Sequence, residues 1–184
     1  MGEFLVNIRP KNLSAVVVSF LFTFEIKKNM GFKHIFKAKL DWFFSKKEAV
    51  TYTKSHTIAI DGKAVLQVSA AKAFKGDPDL YNPEDLLLSS VVSCHMMSYL
   101  YVCSQNGIDV VSYTDEAEAT LEVLEDGSGR FIAINLNPKV CITNKEEIEE
   151  ALSLHKKANQ LCFIANSCNF PIFHFPTCEI KNSN

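Results

Sequence analysis

Residues 82–107 read NPEDLLLSSVVSCHMMSYLYVCSQNG. Asn82 is a good helix N-cap, Pro83 suits the first helical position, and Glu84 and Asp85 suit the positive end of the helix dipole. Asn106-Gly107 closes the same helix. Between these ends Leu86, Leu87, Leu88, Val91, Val92, Met96, Met97, Leu100, Tyr101 and Val102 leave almost no polar face. Such a helix is expected to be buried on nearly all sides, by its own domain or by a partner subunit. A Cys-His pair, Cys94 and His95, sits at its middle. The thiol there is either a small packed hydrophobe or a reactive group held in a chosen place.

Outward from this helix the β signals are clear. KHIFKAKLDWFF (33–44) and TYTKSHTIAIDGKAVLQVSA (51–70) precede it, and Asp61-Gly62 between alternating runs predicts a hairpin. After it, EAEATLEVL (116–124) alternates strictly, EDGSG turns, and RFIAINLNPKVCI (130–142) returns. Thr143 with Glu146 forms a capping-box pattern that opens a second helix over about 145–167, ended by Asn169-Phe170-Pro171. PIFHFPTCEIK reads as a last strand. The order hairpin, helix, hairpin, helix, strand gives an α+β fold with largely antiparallel sheet and two long core helices.

The chain has 184 residues, 47% hydrophobic and 22% charged, which is enough to build a packed core. A net charge of −2 gives no electrostatic reason to expect nucleic acid as a partner. Six cysteines occur without a C-x-x-C or any zinc-finger spacing. A chain of this size needs no disulfide framework, so the composition points to the reducing cytoplasm. Residues 13–24, LSAVVVSFLFTF, resemble a signal-peptide core, but no small-x-small cleavage site follows and the run is short for a membrane span. Met30-Gly31 reads like a second start. An extension from an early start and a membrane address both fit residues 1–30, with no stable membrane association expected, and residues 31–184 form the domain.

Helical angles sort the thiols. On the first helix Leu87, Val91, Cys94 and Tyr101 share a stripe, and Cys103 faces the other way. On the second, Ile148, Ala151, His155, Ala158, Cys162 and Ala165 share the inward stripe. If the two helices pack together, Cys94 and Cys162 are the pair best placed to meet.

With these motifs in view, residues 33–182 resemble the OsmC/Ohr family. The resemblance rests on NPEDLLLSSVVSCHM, an Asn/Asp-Pro-Glu motif with a Cys eleven residues after the Pro, and on LHKKANQLCFIANS, which matches the second Cys-bearing helix. It implies an intertwined homodimer with its site at the subunit interface. It also implies reduction of hydroperoxides through a sulfenic acid on Cys94 and a disulfide to Cys162, with Glu84 orienting a catalytic arginine and no cofactor or metal. Dithiols or lipoylated proteins are the implied reductants.

One departure stands out: residues 31–82 contain no arginine, the chain's only arginines being Arg9 and Arg130. Lys54 and Lys72 are the nearest substitutes, with His95 and His155 as possible auxiliaries. The arginine matters because making thiolate accomplishes little alone. A free thiol with a pKa of about 8.5 is roughly 3% ionised at pH 7, and lowering the pKa to about 6 gains some thirtyfold. Falling nucleophilicity returns roughly tenfold of that. Donors at the departing oxygen, worth ~10²–10³ each elsewhere, must supply the rest. The helix dipole cannot, since Cys94 lies about 16 Å along the axis from Pro83. Lysine lacks arginine's planar fork and is not an equivalent substitute.

Each residue also has a plain reading. Glu84 suits the helix dipole, Lys54 and Lys72 suit a solvated strand, and His155 suits a packed core. A metal site of Cys94, His95, His155 and Cys162 has no spacing signature. Two functions follow: a cysteine-based peroxidase for organic hydroperoxides, or a non-catalytic dimer that binds an apolar ligand or senses oxidants.

Overall fold

The computed structural model describes residues 32–44 and 52–181. The expectations for residues 1–30 lie outside them. Two compact units divide the chain after Phe36. Of the first, only residues 32–36 are described, and they are irregular; the strands and helices lie in the second.

Its first sheet is antiparallel, in the order β1 (Lys39–Asp41), β2 (His56–Ala59), β3 (Leu66–Val68). The β2–β3 hairpin turns at Asp61-Gly62 as the sequence predicts. His56 pairs with Val68 and Ile58 with Leu66, and Gly62 takes a φ of +72° that a side chain would disfavour.

Helix α1 (Pro83–Gln105) follows. Its cap is reciprocal: the Asp85 amide donates to Asn82 Oδ1 at 2.8 Å, and the Asn82 amide donates to Asp85 Oδ2 at 3.3 Å. The capping box therefore closes on Asp85, leaving Glu84 free for another role.

Beyond α1 come β4 (Val110–Asp115), β5 (Glu118–Val123), β6 (Gly129–Leu136) and β7 (Pro138–Ile142). β4 was not expected from the sequence, and the run 130–142 is two strands rather than one. The reason is a bend at Asn137. Its amide donates to Asp115 Oδ1 at 2.8 Å and its Nδ2 to the Glu116 carbonyl at 2.7 Å. Those bonds tie the break between β6 and β7 to the break between β4 and β5, so one long hairpin folds across two sheets.

The last segment divides in the same way. β8 (Ile172–His174) runs parallel to β6, and β9 (Thr177–Ile180) runs parallel to β7. Pro176, without an amide hydrogen, breaks the ladder between them. The two sheets are therefore mixed, in the orders β4-β7-β9 and β5-β6-β8.

Helix α2 (Ile148–Leu161) is shorter than the 145–167 expected. Asn144 caps the short turn that leads into it, its Oδ1 accepting from the Glu146 amide at 3.1 Å, so Thr143 does not cap. A single 3-10 turn over Lys145–Glu147 precedes the helix. At the other end Cys162 leaves helical geometry, with a ψ of 106°. The α+β class stands. Only α1 is long, and by length and composition alone it would suffice to cross a membrane. One core cluster joins α1, β7 and α2 through Tyr99, Val102, Val140, Ile142, Ala151 and Ala158; another joins α1 to β6 through Val91, Ile134 and Leu136. Each fully buried Val, Ile or Leu contributes roughly 1.5–3 kcal/mol, which fixes α1 against both sheets.

Candidate active site

The early end of α2 brings the two helical thiols together. With Cys162 out of the helix, its Sγ accepts the Ala165 amide at 3.4 Å and its carbonyl accepts the Asn166 amide at 3.0 Å. The side chain caps the following turn much as a serine would. This holds the fully buried Cys162 sulfur in hydrogen-bonding contact with Cys94, which is half-buried on α1. Desolvation, then the bond to Cys94, pushes the Cys162 thiol up to about 11, with the Ala165 amide acting in the opposite sense. At neutral pH the proton therefore stays on Cys162.

Cys94 opens onto a cavity of about 320 Å³ lined by Met97, Ser98, Tyr101, Leu161 and Phe163. That volume suits a small organic molecule. A larger groove of about 490 Å³ passes Leu88, Val92, Met96 and Asp115, but no thiol lines it, so the reactive chemistry belongs to the smaller cavity.

The remaining candidates do not gather at the thiols. Glu84 Oε2 is buried with no hydrogen-bond partner among the described residues. Lys54 Nζ donates to the Phe74 carbonyl, and Lys72 is exposed on the 3-10 turn Lys72–Phe74. The ion pairs among the described residues are Lys39–Asp41, Arg130–Glu122 and Lys139–Glu179, so neither lysine is bridged to Glu84. Arg130 stands on β6, away from the thiol cavity.

His95 and His155 meet each other instead. Their Nε2 and Nδ1 atoms lie 3.1 Å apart, and Tyr99 stacks on His155 at 3.9 Å between ring centres. Burial first, then the neighbouring imidazoles, lower His95 to about 3; burial and His174 lower His155 to about 4. Both rings are neutral at pH 7. His174 on β8, which the sequence reading did not single out, packs 4.4 Å from His95. Among the described residues no group of three or more His, Cys, Asp or Glu is arranged to hold a metal ion.

Sequence reasoning also missed Met97, Ser98, Leu161 and Phe163 as cavity walls. Spacings of three, four and seven from Cys94 would have found Met97, Ser98 and Tyr101 on one helix face. Phe163 carried no such signal, because its position depends on where α2 stops.

Residues 76–173 match the family model described as OsmC-like protein. An OsmC-like protein of unknown function from Vibrio cholerae O1 biovar eltor is 27% identical, with a TM-score of 0.69 over 81% of this chain and 100% of that one. An organic hydroperoxide resistance protein from Elizabethkingia anophelis, with crystallant-derived thiocyanate bound, is 21% identical, with a TM-score of 0.62 over 83% of this chain and all of its own. An organic hydroperoxide resistance protein OsmC from Legionella pneumophila is 16% identical, with a TM-score of 0.59 over 79% of this chain and 97% of that one. No match is found among curated proteins.

Proposed function

The chain belongs to the OsmC-like protein family, and from that premise we propose that it is a thiol peroxidase acting on organic hydroperoxides. Cys94, as thiolate, attacks the terminal oxygen of ROOH. The S–O bond forms as the O–O bond breaks, and the alkoxide takes a proton to leave as ROH. Cys162 then attacks the Cys94 sulfenic acid, expelling water and forming a Cys94–Cys162 disulfide. A dithiol or a lipoylated protein reduces it.

The observation that carries this reading is the contact between Cys94 and Cys162 at an apolar cavity of substrate size. All six cysteines are free, in keeping with activity in a reducing cytoplasm. The working form is a homodimer. Met97 at 57%, Tyr101 at 58% and Phe163 at 81% exposure leave apolar surface around the site that a second copy would cover. Glu84 is the carboxylate for a cation, with Lys54 or Lys72 of either copy as the candidates.

The second reading, an oxidant sensor or apolar-ligand binder, draws on two features among the described residues, the unpartnered Glu84 oxygen and the arginine-free cavity lining. Consumption of cumene hydroperoxide by the dithiol-supplied protein separates the two. Rapid turnover abolished by Cys94→Ser supports the peroxidase. Turnover no faster than the free dithiol, unchanged by Cys94→Ser, supports the non-catalytic reading.

A further inference from the structure

Reduction of a hydroperoxide needs donors at the departing oxygen, and among the described residues those lining the thiol cavity include no cation. They do include two hydroxyls, those of Ser98 and Tyr101. These residues follow Cys94 by four and seven positions on α1, so all three share a face. Side chains on a helix lean toward its N-terminus. Ser98 therefore stands over the turn that carries Cys94, and the longer Tyr101 leans back toward both.

The hydroxyls are also uncommitted. A helical serine usually turns its hydroxyl onto its own backbone. Ser90 does so to the Leu87 carbonyl at 2.7 Å, and Ser153 to the Glu150 carbonyl at 2.8 Å. Tyr99, facing the core, donates to the Ala151 carbonyl at 3.1 Å. Among the described residues Ser98 Oγ and Tyr101 Oη make no such bond; Ser89, Ser93 and Ser104 of α1 make none either, but only Ser98 and Tyr101 border the space that Cys94 faces.

We propose that Ser98 and Tyr101 are catalytic donors of this site, hydroxyls that hold the hydroperoxide and deliver the proton to its leaving alkoxide, a role separate from that of any cation held by Glu84. The proposal rests on the peroxidase reading. As the Cys94 sulfur forms its bond to the terminal oxygen, the O–O electron pair passes to the inner oxygen. That oxygen takes a proton from Tyr101 Oη, steadied by a second hydrogen bond from Ser98 Oγ, and water returns the proton to the phenolate. A phenol is a far stronger acid than an alcohol, so the transfer runs downhill. Neutral donors also confer no preference for an anionic peroxide, which makes uncharged organic hydroperoxides the substrate class.

The test compares Ser98→Ala and Tyr101→Phe, each the removal of one oxygen atom, on two oxidants. Cumene hydroperoxide expels an alkoxide that needs a proton; peroxybenzoic acid expels a carboxylate that does not. Each variant is expected to lose at least tenfold in kcat/KM with cumene hydroperoxide and less than threefold with peroxybenzoic acid. A donor that matters only for packing would lower both alike. Equal losses on the two oxidants, or no loss on either, with turnover still dependent on Cys94, would overturn the proposal and leave the peroxidase reading standing. Turnover that ignores Cys94→Ser with both oxidants would overturn both.

Discussion

His95 Nε2 and His155 Nδ1 face each other at 3.1 Å across the packed helices α1 and α2, their residues 1% and 2% exposed. One nitrogen must carry the hydrogen and the other a lone pair, so two imidazolium rings cannot meet this way. The outer nitrogens, His95 Nδ1 and His155 Nε2, have no partner among the described residues. Nothing there compensates a charge. The other titratable groups against the pair, His174, Tyr99 and Tyr113, are neutral at pH 7 as well.

Acid should therefore unfold the protein through these rings. Folded pKa values of about 3 for His95 and about 4 for His155 lie below the unfolded value of 6.5. Below pH 6.5 the unfolded chain binds protons that the folded one refuses. Their stabilisation is thus complete above 6.5 and is lost as pH falls toward 4 and then 3. The slope is about 1.4 kcal/mol per pH unit for each ring, or on the order of 3 kcal/mol for the pair between pH 7 and 5. Urea unfolding at the two pH values measures it, and His155→Gln should flatten the slope by one proton. A stability unchanged across that range would contradict this account.

Tyr99→Phe isolates the polar link between the same helices. The ring that stacks on His155 is retained, and the bond to the Ala151 carbonyl is removed. The expected cost is about 1–2 kcal/mol, since a buried carbonyl loses its donor. For a domain of this size that is a fall of a few degrees in Tm. Tyr99→Ala should cost more, about 3–5 kcal/mol, because it adds a cavity.

Much of the fold was legible because its signals are local. The Asn82-Pro83 cap, the Asp61-Gly62 turn and the alternation at 116–124 each depend on neighbouring residues, and each appears where the sequence placed it. The features that were not legible depend on tertiary partners. Asn137 reads as an ordinary strand residue until Asp115 and Glu116 face it. The end of α2 at Leu161 depends on Cys162 finding the Ala165 amide and Cys94, which no helical periodicity reports. Periodicity placed Cys162 on the helix's inward face; the structure places it just past the helix end, with its sulfur still against Cys94. The histidine cluster was half legible: the stripe through Ala151, His155 and Ala158 is buried, whereas His174 joins only because β8 runs parallel to β6.

Leu100→Glu tests the dimer. Leu100 is 37% exposed on α1, close to the more exposed Met97 and Tyr101. In a lone subunit a glutamate there would be solvated and nearly neutral in effect. In a dimer that covers this face it would be an unpaired buried charge, at a cost of several kcal/mol. Sedimentation should show the unaltered protein as a dimer and the variant as a monomer, with far-UV circular dichroism unchanged. A monomeric unaltered protein would remove the dimer reading.

The two thiols should also differ in order of reaction and in pH dependence. Cys162 is fully buried and held protonated by burial and its bond to Cys94, whereas Cys94 faces the cavity. One equivalent of cumene hydroperoxide should therefore oxidise Cys94 first. In the unaltered chain the product should be a Cys94–Cys162 disulfide, two hydrogens lighter by mass. In Cys162→Ser a sulfenic acid should persist on Cys94 and be captured by dimedone. Because the Cys162 thiol is raised to about 11, its reactive thiolate should increase about tenfold per pH unit below that value. Disulfide formation followed after a rapid peroxide pulse should accelerate accordingly between pH 7 and 9. A rate independent of pH over that interval would mean that Cys162 loses its proton before the sulfenic acid forms. A dimedone adduct on Cys162 in Cys94→Ser would reverse the assignment of the two roles.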